Sequence, residues 1–369
     1  MVTSYYINTS IIARSDMTKI KVLMLGPDRS VKGGVSGVVN NLYDAGIDKE
    51  IELKYIGTMV DGSKFRKLIK AIKAYFAALS CMKDYDIVHV HVSADASYYR
   101  KSLFMKIAIK QKKKLVIHQH GGDIERFYAH ELKGKSRQRM VSLFNKCDAF
   151  IVLAPNFKEF FENIVTDNKK ISVIGNGIKI PNIDLESKDY TSPNVLFLGR
   201  ICKDKGIYEL LEAIEKLSKD YPDIHLYLGG FFEDSELKHR VDMLSKNVTT
   251  CGWIDSSSKE ELFDKCPIFV LPSYYEGMPL SVAEGMAHGC ATIASNVGSL
   301  DQMISDDNTG ILVKPKDTED LYKALSRILN DIELRKSLGH AAYSFAKDKY
   351  DIHKMKDEIL KIYKELTYE

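Results

Sequence analysis

The 369-residue sequence is short of the features that mark specialised protein classes. Its six cysteines (Cys81, Cys147, Cys202, Cys251, Cys266, Cys290) are scattered and form no C-x-x-C pair. That argues against a disulfide-stapled scaffold or a zinc ribbon and reads as reduced, buried thiols in a cytoplasmic protein. No apolar run approaches the ~18 residues of a membrane-spanning helix. Residues 1–16 have no continuous apolar core and do not read as a signal peptide; they read as a disordered leader ahead of Met17. Neither the Walker A pattern G-x-x-x-x-G-K-[ST] nor the dinucleotide fingerprint G-x-G-x-x-G occurs. Net charge is also scarce, at +3 overall. Split along the chain, however, residues 1–190 carry 31 basic and 20 acidic side chains, and residues 191–369 carry 22 and 30. A near-neutral chain is thus a basic half joined to an acidic half, and the basic half calls for an anionic surface or ligand.

What is present is 45% hydrophobic and 28% charged, the composition of a globular enzyme of about two domains. Short Val/Ile/Leu runs at 20–25, 87–92, 115–118 and 150–153 alternate with amphipathic stretches such as 63–82 and 136–146. Runs of this kind suit parallel strands buried on both faces. A polar stretch at 182–194 reads as a linker, after which the alternation restarts with strands at 195–198, 225–228, 268–271, 291–294 and 310–313. The expected architecture is α/β: two Rossmann-like, doubly wound domains, residues 17–185 and 186–348, facing each other across a cleft. Ligands of such sheets sit beyond the strand carboxyl ends, so the cleft is the expected active site.

Four constellations could carry chemistry. Glu276-Gly277-Met278-Pro279-Leu280, followed by Ser281 to Glu284, forms a strand–loop–helix turn. Its free N–H groups favour an anion, while Glu276 and Glu284 suit hydroxyl groups, as on a sugar or ribose. A capped helix with a solvated Glu284 explains the same residues without a ligand. Gly199 to Gly206 places Arg200 and Lys205 at a strand end beside a helix start, a clamp for a diphosphate or simply a charged turn. Lys32-Gly33-Gly34 follows the first strand, where paired glycines allow close approach of a ligand. The pairs His89/His91 and His118/His120 each share one strand face, but no carboxylates complete a metal site, so no metal is expected. Asp84-Tyr85-Asp86 reads as a turn into a strand rather than a metal-binding D-x-D.

Together these motifs resemble family 4 of the retaining glycosyltransferases, which has the two-domain GT-B fold. The resemblance spans K-G-G-V at 32–35, H-G-G-D at 120–123, N-G-I at 176–178, G-R-x-x-x-x-K-G at 199–206, P-S-Y-Y-E-G-M-P-L-S-V-A-E from Pro272 and G-I-L-V-K-P at 310–315. It implies a nucleotide-sugar donor in the second domain: Arg200 and Lys205 on the diphosphate, Glu284 on the ribose, Glu276 with the 277–280 amides on the sugar and phosphate, and Trp253 and Ile254 beside the base. From the first domain, Gly33 and Gly34 would approach the diphosphate, His120 would lie by the donor sugar, and Asp123 would meet the acceptor. It implies retention of configuration by front-face attack, no metal or other cofactor, and a last helix, 349–369, crossing back to the first domain. The acceptor expected is a glycan or lipid-linked glycan in bacterial surface polysaccharide synthesis. Cys266-Pro267, Ser299 and Asp301-Gln302 depart from the family pattern and leave donor identity open. A sugar-nucleotide epimerase and a non-catalytic scaffold are the alternatives.

The densest basic segment holds Lys64, Arg66, Lys67, Lys70 and Lys73, with Phe65, Leu68, Ile69, Ile72 and Phe76 at helical spacing. The apolar stripe is expected to cover the sheet, leaving the basic face for an anionic membrane, peripheral on the cytoplasmic side. Lys110 to Lys114 could reinforce it. Nucleic acid is not expected, because no aromatic platform accompanies the lysines.

Overall fold

The computed structural model describes residues 19–233, 235–244 and 246–368; the leader expected over residues 1–16 lies outside the described residues. Its strands form two six-stranded sheets. The first contains β1 (Lys21–Gly26), β2 (Glu52–Gly57), β3 (Ile87–Val92), β4 (Lys114–Gln119), β5 (Ala149–Val152) and β6 (Ile171–Val173), in the order β2-β1-β3-β4-β5-β6. The second contains β7 (Asn194–Leu198), β8 (His225–Gly229), β9 (Val248–Gly252), β10 (Ile268–Leu271), β11 (Ala291–Ser295) and β12 (Ile311–Val313), in the order β12-β11-β10-β7-β8-β9. The pairings in both sheets are parallel. Strand order reverses beside β1/β3 in one sheet and β7/β10 in the other, and ligands of doubly wound sheets bind at such points.

The interior strands are the ones the apolar runs indicate. β3 is buried at every position, as are β5, β10 and β11. The strands that the sequence reading leaves out are β2, β6 and β9, all at sheet edges. Edge strands bury less of their surface, so β2 (ELKYIG) and β9 (VTTCG) carry exposed polar residues and lack the continuous apolar signal. Helices Asp95–Lys110 and Ile332–Lys349 were likewise not expected. The turn reading of 84–86 agrees with the backbone: a 3-10 turn spans Met82–Asp84, and the Asp86 carboxylate accepts from the Lys21 N–H at 2.9 Å.

The 182–194 segment is anchored. Arg335, almost fully buried, donates to the carbonyls of Tyr190 (2.7 Å), Ser192 (2.8 Å) and Ile328 (3.0–3.1 Å). Buried guanidinium N–H groups need acceptors, and this connection supplies them through its own backbone. At the other crossing, Ile178 donates to the Tyr350 carbonyl at 2.7 Å and Ile352 donates back to Ile178 at 2.9 Å. The helix Ile352–Tyr368 then packs Met355, Ile359 and Tyr363 with Val22, Val116 and Ile151 of the first sheet.

One expectation is overturned. The basic amphipathic segment is a helix, Lys64–Cys81, but its buried residues are Ala74 and Ala78. Phe65, Leu68, Ile69, Ile72 and Phe76 all face solvent instead of covering the sheet. Helical periodicity gives the stripe but not which side of the helix meets the fold, and here the small alanine face makes the contact. Lys70 also leaves the basic set, because its ammonium lies 2.7 Å from the Asp28 carboxylate.

Candidate active site

Loops at the carboxyl ends of the strands converge on one cleft of about 910 Å³ between the sheets. After β7, the chain passes through Gly199 and Arg200 into a 3-10 turn at Lys203–Lys205 and then the helix Ile207–Leu217. After β10, it passes through Ser273–Pro279 into the helix Leu280–Ala287. Because β7 and β10 are neighbours, these two loops are side by side. Lys205 and Glu276 form an ion pair there, their side chains only 17% and 9% exposed. The Ser273 hydroxyl donates to the same Glu276 oxygen at 2.6 Å.

Two further charged residues of the cleft have counter-ions. Arg200 pairs with Glu233 at 2.9 Å, and Glu284 pairs with Lys259 at 2.8 Å. Neither Glu233 nor Lys259 stands out in the sequence as a site residue. Each is one charged residue among many, brought in from a different element by the sheet order. These pairs hold Arg200 and Glu284 in place and leave cations oriented along the cleft, an arrangement that suits an anion.

The two halves interlock through backbone. Asn176 of the N-G-I motif donates its side-chain N–H across to the Met278 carbonyl at 2.7 Å, and within its own half Asn41 holds the neighbouring Gly177 carbonyl at 2.9 Å. Met278 therefore lines the cleft mainly as a contact between the halves. Gly122 allows the closest approach: a Cβ there would overlap the Glu276 carbonyl, so H-G-G-D and E-G-M-P can meet only through a glycine. Gly298, at φ 62°, abuts the same carbonyl from the other side. Ser299, a departure from the family pattern, donates its hydroxyl to the Gly277 carbonyl at 2.5 Å and so helps fix the 276–280 loop.

Gly33, Gly34, His120, Arg200, Lys205, Trp253, Ile254, the 276–280 loop and Glu284 all line this cleft. A Cβ on Gly33 or Gly34 would meet no protein atom within 4 Å, so packing does not require glycine at either position. Trp253 stands half exposed at the rim, with the Lys32 ammonium 5.1 Å from its ring centre. Asp123 is set apart from the cleft lining, with Arg126 at 3.9 Å, and burial pushes its carboxyl above the usual range.

The two histidine pairs join into one group. Rings of His89, His91, His118 and His120 lie 4.1–5.4 Å apart at interplanar angles of 17–31°. His89 Nδ1 meets the Tyr363 hydroxyl, and His91 Nδ1 lies 2.8 Å from His120 Nε2. Burial pushes His89 and His120 down to about 3 and holds His91 and His118 well below their ordinary value. His120 therefore reaches the cleft as a neutral imidazole, a hydrogen-bonding group rather than a cation. Ring nitrogens of His89, His91 and His118 lie within 4.8 Å of one another, close enough to raise a metal site. The rings are near parallel, however, and parallel rings do not aim their in-plane lone pairs at one point, as ligation at about 2.0–2.1 Å demands.

Paired α/β domains with cations, carboxylates and glycine-rich turns gathered at facing switch points are the arrangement of the GT-B fold. Sequence models agree: glycosyl transferases group 1 matches residues 182–345, and glycosyltransferase family 4 matches residues 41–180. The chain belongs to this family and is a glycosyltransferase. It is 26% identical over 325 residues, 87% of this chain and 86% of the relative, to a Campylobacter jejuni alpha-1,4-N-acetyl-D-galactosaminyltransferase named for a PP-undecaprenol-linked substrate. Its fold is similar to that of sucrose-phosphate synthase from Thermosynechococcus elongatus, with TM-score 0.75 and 19% identity over 94% of this chain and 99% of that one. Anabaena HepE, solved with UDP-glucose, gives TM-score 0.73 and 17% identity over 93% and 99%.

Proposed function

We propose that the protein moves a sugar from a UDP- or GDP-sugar to a hydroxyl of a glycan or lipid-linked glycan, with retention and without a metal ion, in bacterial surface polysaccharide synthesis. The observation that carries this reading is the convergence of Arg200 and Lys205 with Glu276 and Glu284 at one strand crossover, opposite Gly33 and Gly34. As the sugar–phosphate bond breaks, negative charge builds on the diphosphate, and two fixed cations beside a helix N-terminus stabilise it. Glu276 and Glu284 offer acceptors for sugar and ribose hydroxyls, and the open backbone at Gly33 and Gly34 leaves room for the phosphates. Retention follows the family resemblance: the acceptor attacks from the side of the departing phosphate, which takes its proton. The acceptor class is supported by the relative named for a PP-undecaprenol-linked substrate. A cytoplasmic location is supported by the cysteines, all of which are free thiols. Among the described residues, no helix is long and apolar enough to cross a membrane.

Incubation with a panel of UDP-, GDP- and ADP-sugars tests the reading. One donor should release its nucleoside diphosphate slowly without acceptor and faster with a glycan acceptor. Interconversion of the sugar nucleotides would indicate an epimerase, and no turnover with any donor would indicate a scaffold. Turnover should also persist in excess EDTA, since the protein's own cations face the leaving group. Complete loss with EDTA, restored by a divalent ion, overturns the metal-free mechanism.

A further inference from the structure

The helix Lys64–Cys81 presents an apolar stripe to solvent that the transferase site does not use. Phe65 is 72% exposed, Leu68 57%, Ile72 48% and Phe76 63%, with Ile69 and Leu79 also exposed. At 3.6 residues per turn these six side chains fall within about 100° of the helix circumference, so they form one face. An isolated exposed leucine needs no explanation, but a contiguous stripe of large apolar side chains does. The helix contains five basic residues and no acidic one. Lys64 flanks the stripe on one side and Arg66 and Lys73 on the other, whereas Lys70 is held by Asp28. The neighbouring helix, Asp95–Lys110, packs against this one and adds exposed Tyr99 and Leu103, with exposed Lys106 and Lys110 following at i+3 and i+7 from Leu103.

The geometry points to a membrane-docking surface: the face formed by Phe65, Leu68, Ile69, Ile72, Phe76 and Leu79 inserts into the interfacial layer of an anionic bilayer, and the flanking cations meet the lipid headgroups. Charge selects this occupant. In a symmetric dimer each patch would meet its own copy, bringing together cations that have no acidic partner on the helix. An anionic lipid surface instead supplies apolar depth under the stripe and negative charge at its margins. The apolar residues therefore make the main contact, reversing their expected role as sheet cover, and the lysines reinforce it. The basic excess of residues 1–190 gains a location on the fold. The inference rests on this surface and does not depend on which sugar is transferred.

Flotation of the full chain with vesicles tests it. The protein should float with 1:1 phosphatidylglycerol/phosphatidylcholine and much less with phosphatidylcholine alone. Phe65→Ser with Phe76→Ser should weaken binding at least about tenfold. Lys64→Gln with Lys73→Gln should weaken it mainly at low salt. Both double variants alter exposed positions and should keep wild-type nucleotide release from the donor, which separates failure of docking from failure of the transferase site. Wild type that does not float, a serine variant that floats as well as wild type, or a solution dimer dispersed by the serine substitutions with no vesicle binding would each overturn the inference.

Discussion

Glu276→Gln and Lys205→Met should each lower glycosyl transfer about 100- to 1,000-fold, the range seen when one preorganised charge-stabilising group is removed from an active site. The two variants fail for different reasons. In the proposed reaction Lys205→Met removes a cation from the departing diphosphate, so the loss should fall on turnover. Glu276→Gln keeps the shape and an oxygen for the Ser273 hydroxyl, but it loses the charge that orients the ammonium and that the proposed reaction uses to accept from sugar hydroxyls. Breaking a pair this shielded also costs stability, up to about 3–5 kcal/mol where it leaves an unpaired charge, so unfolding has to be measured beside activity. Steady-state turnover with the donor identified by the panel, alongside thermal unfolding, separates the two effects. Activity within a few-fold of wild type in both variants would remove Lys205 and Glu276 from the mechanism.

Acid should destabilise the protein well above the range where carboxylates titrate. In the fold, His89 and His120 stay neutral until about pH 3, whereas an unfolded histidine titrates near 6.5. Between those values the unfolded chain binds more protons, so stability rises with pH. It is fully present above about pH 6.5 and is lost as pH falls towards 3. At pH 5 each of these groups costs roughly 2 kcal/mol, about 4 kcal/mol for the two, which is large against a typical total of 5–15 kcal/mol. His91 and His118 act in the same direction. The neighbouring polar groups give a charged ring no carboxylate: Tyr363 meets His89, and Lys101 donates to the His91 carbonyl at 2.9 Å. Urea unfolding from pH 5 to 7.5 measures the slope. His118→Leu should reduce it by about one proton, or 1.4 kcal/mol per pH unit; an unchanged slope would show that the histidine stack does not govern the acid response.

The legible parts of the sequence were those whose signal is local. Interior strands such as β3 and β10 announce themselves because both faces are buried, so their residues are apolar apart from the buried His89 and His91 of β3. The edge strands β2 and β9 have no such constraint and gave no such signal. Cleft residues next to glycines and strand ends, such as Arg200, Lys205 and Glu276, stand in motifs that a linear reading finds. Their partners Glu233 and Lys259 do not, because pairing across 33 and 25 residues depends on where other strands and helices fall.

By itself the sequence determined the α/β alternation, the division into a basic and an acidic half, and the loops that carry charge at strand ends. Chain chemistry dictates each of these locally, through apolar runs, glycine and charge. Only the tertiary structure decided which way the helix Lys64–Cys81 faces. Periodicity fixes that its phenylalanines and leucines lie together, but the sense of that face depends on what the rest of the fold offers for packing. The sheet takes Ala74 and Ala78, and the large side chains are left to solvent. The stacking of four histidines was likewise undecided until β3 and β4 paired in register, His91 beside His118.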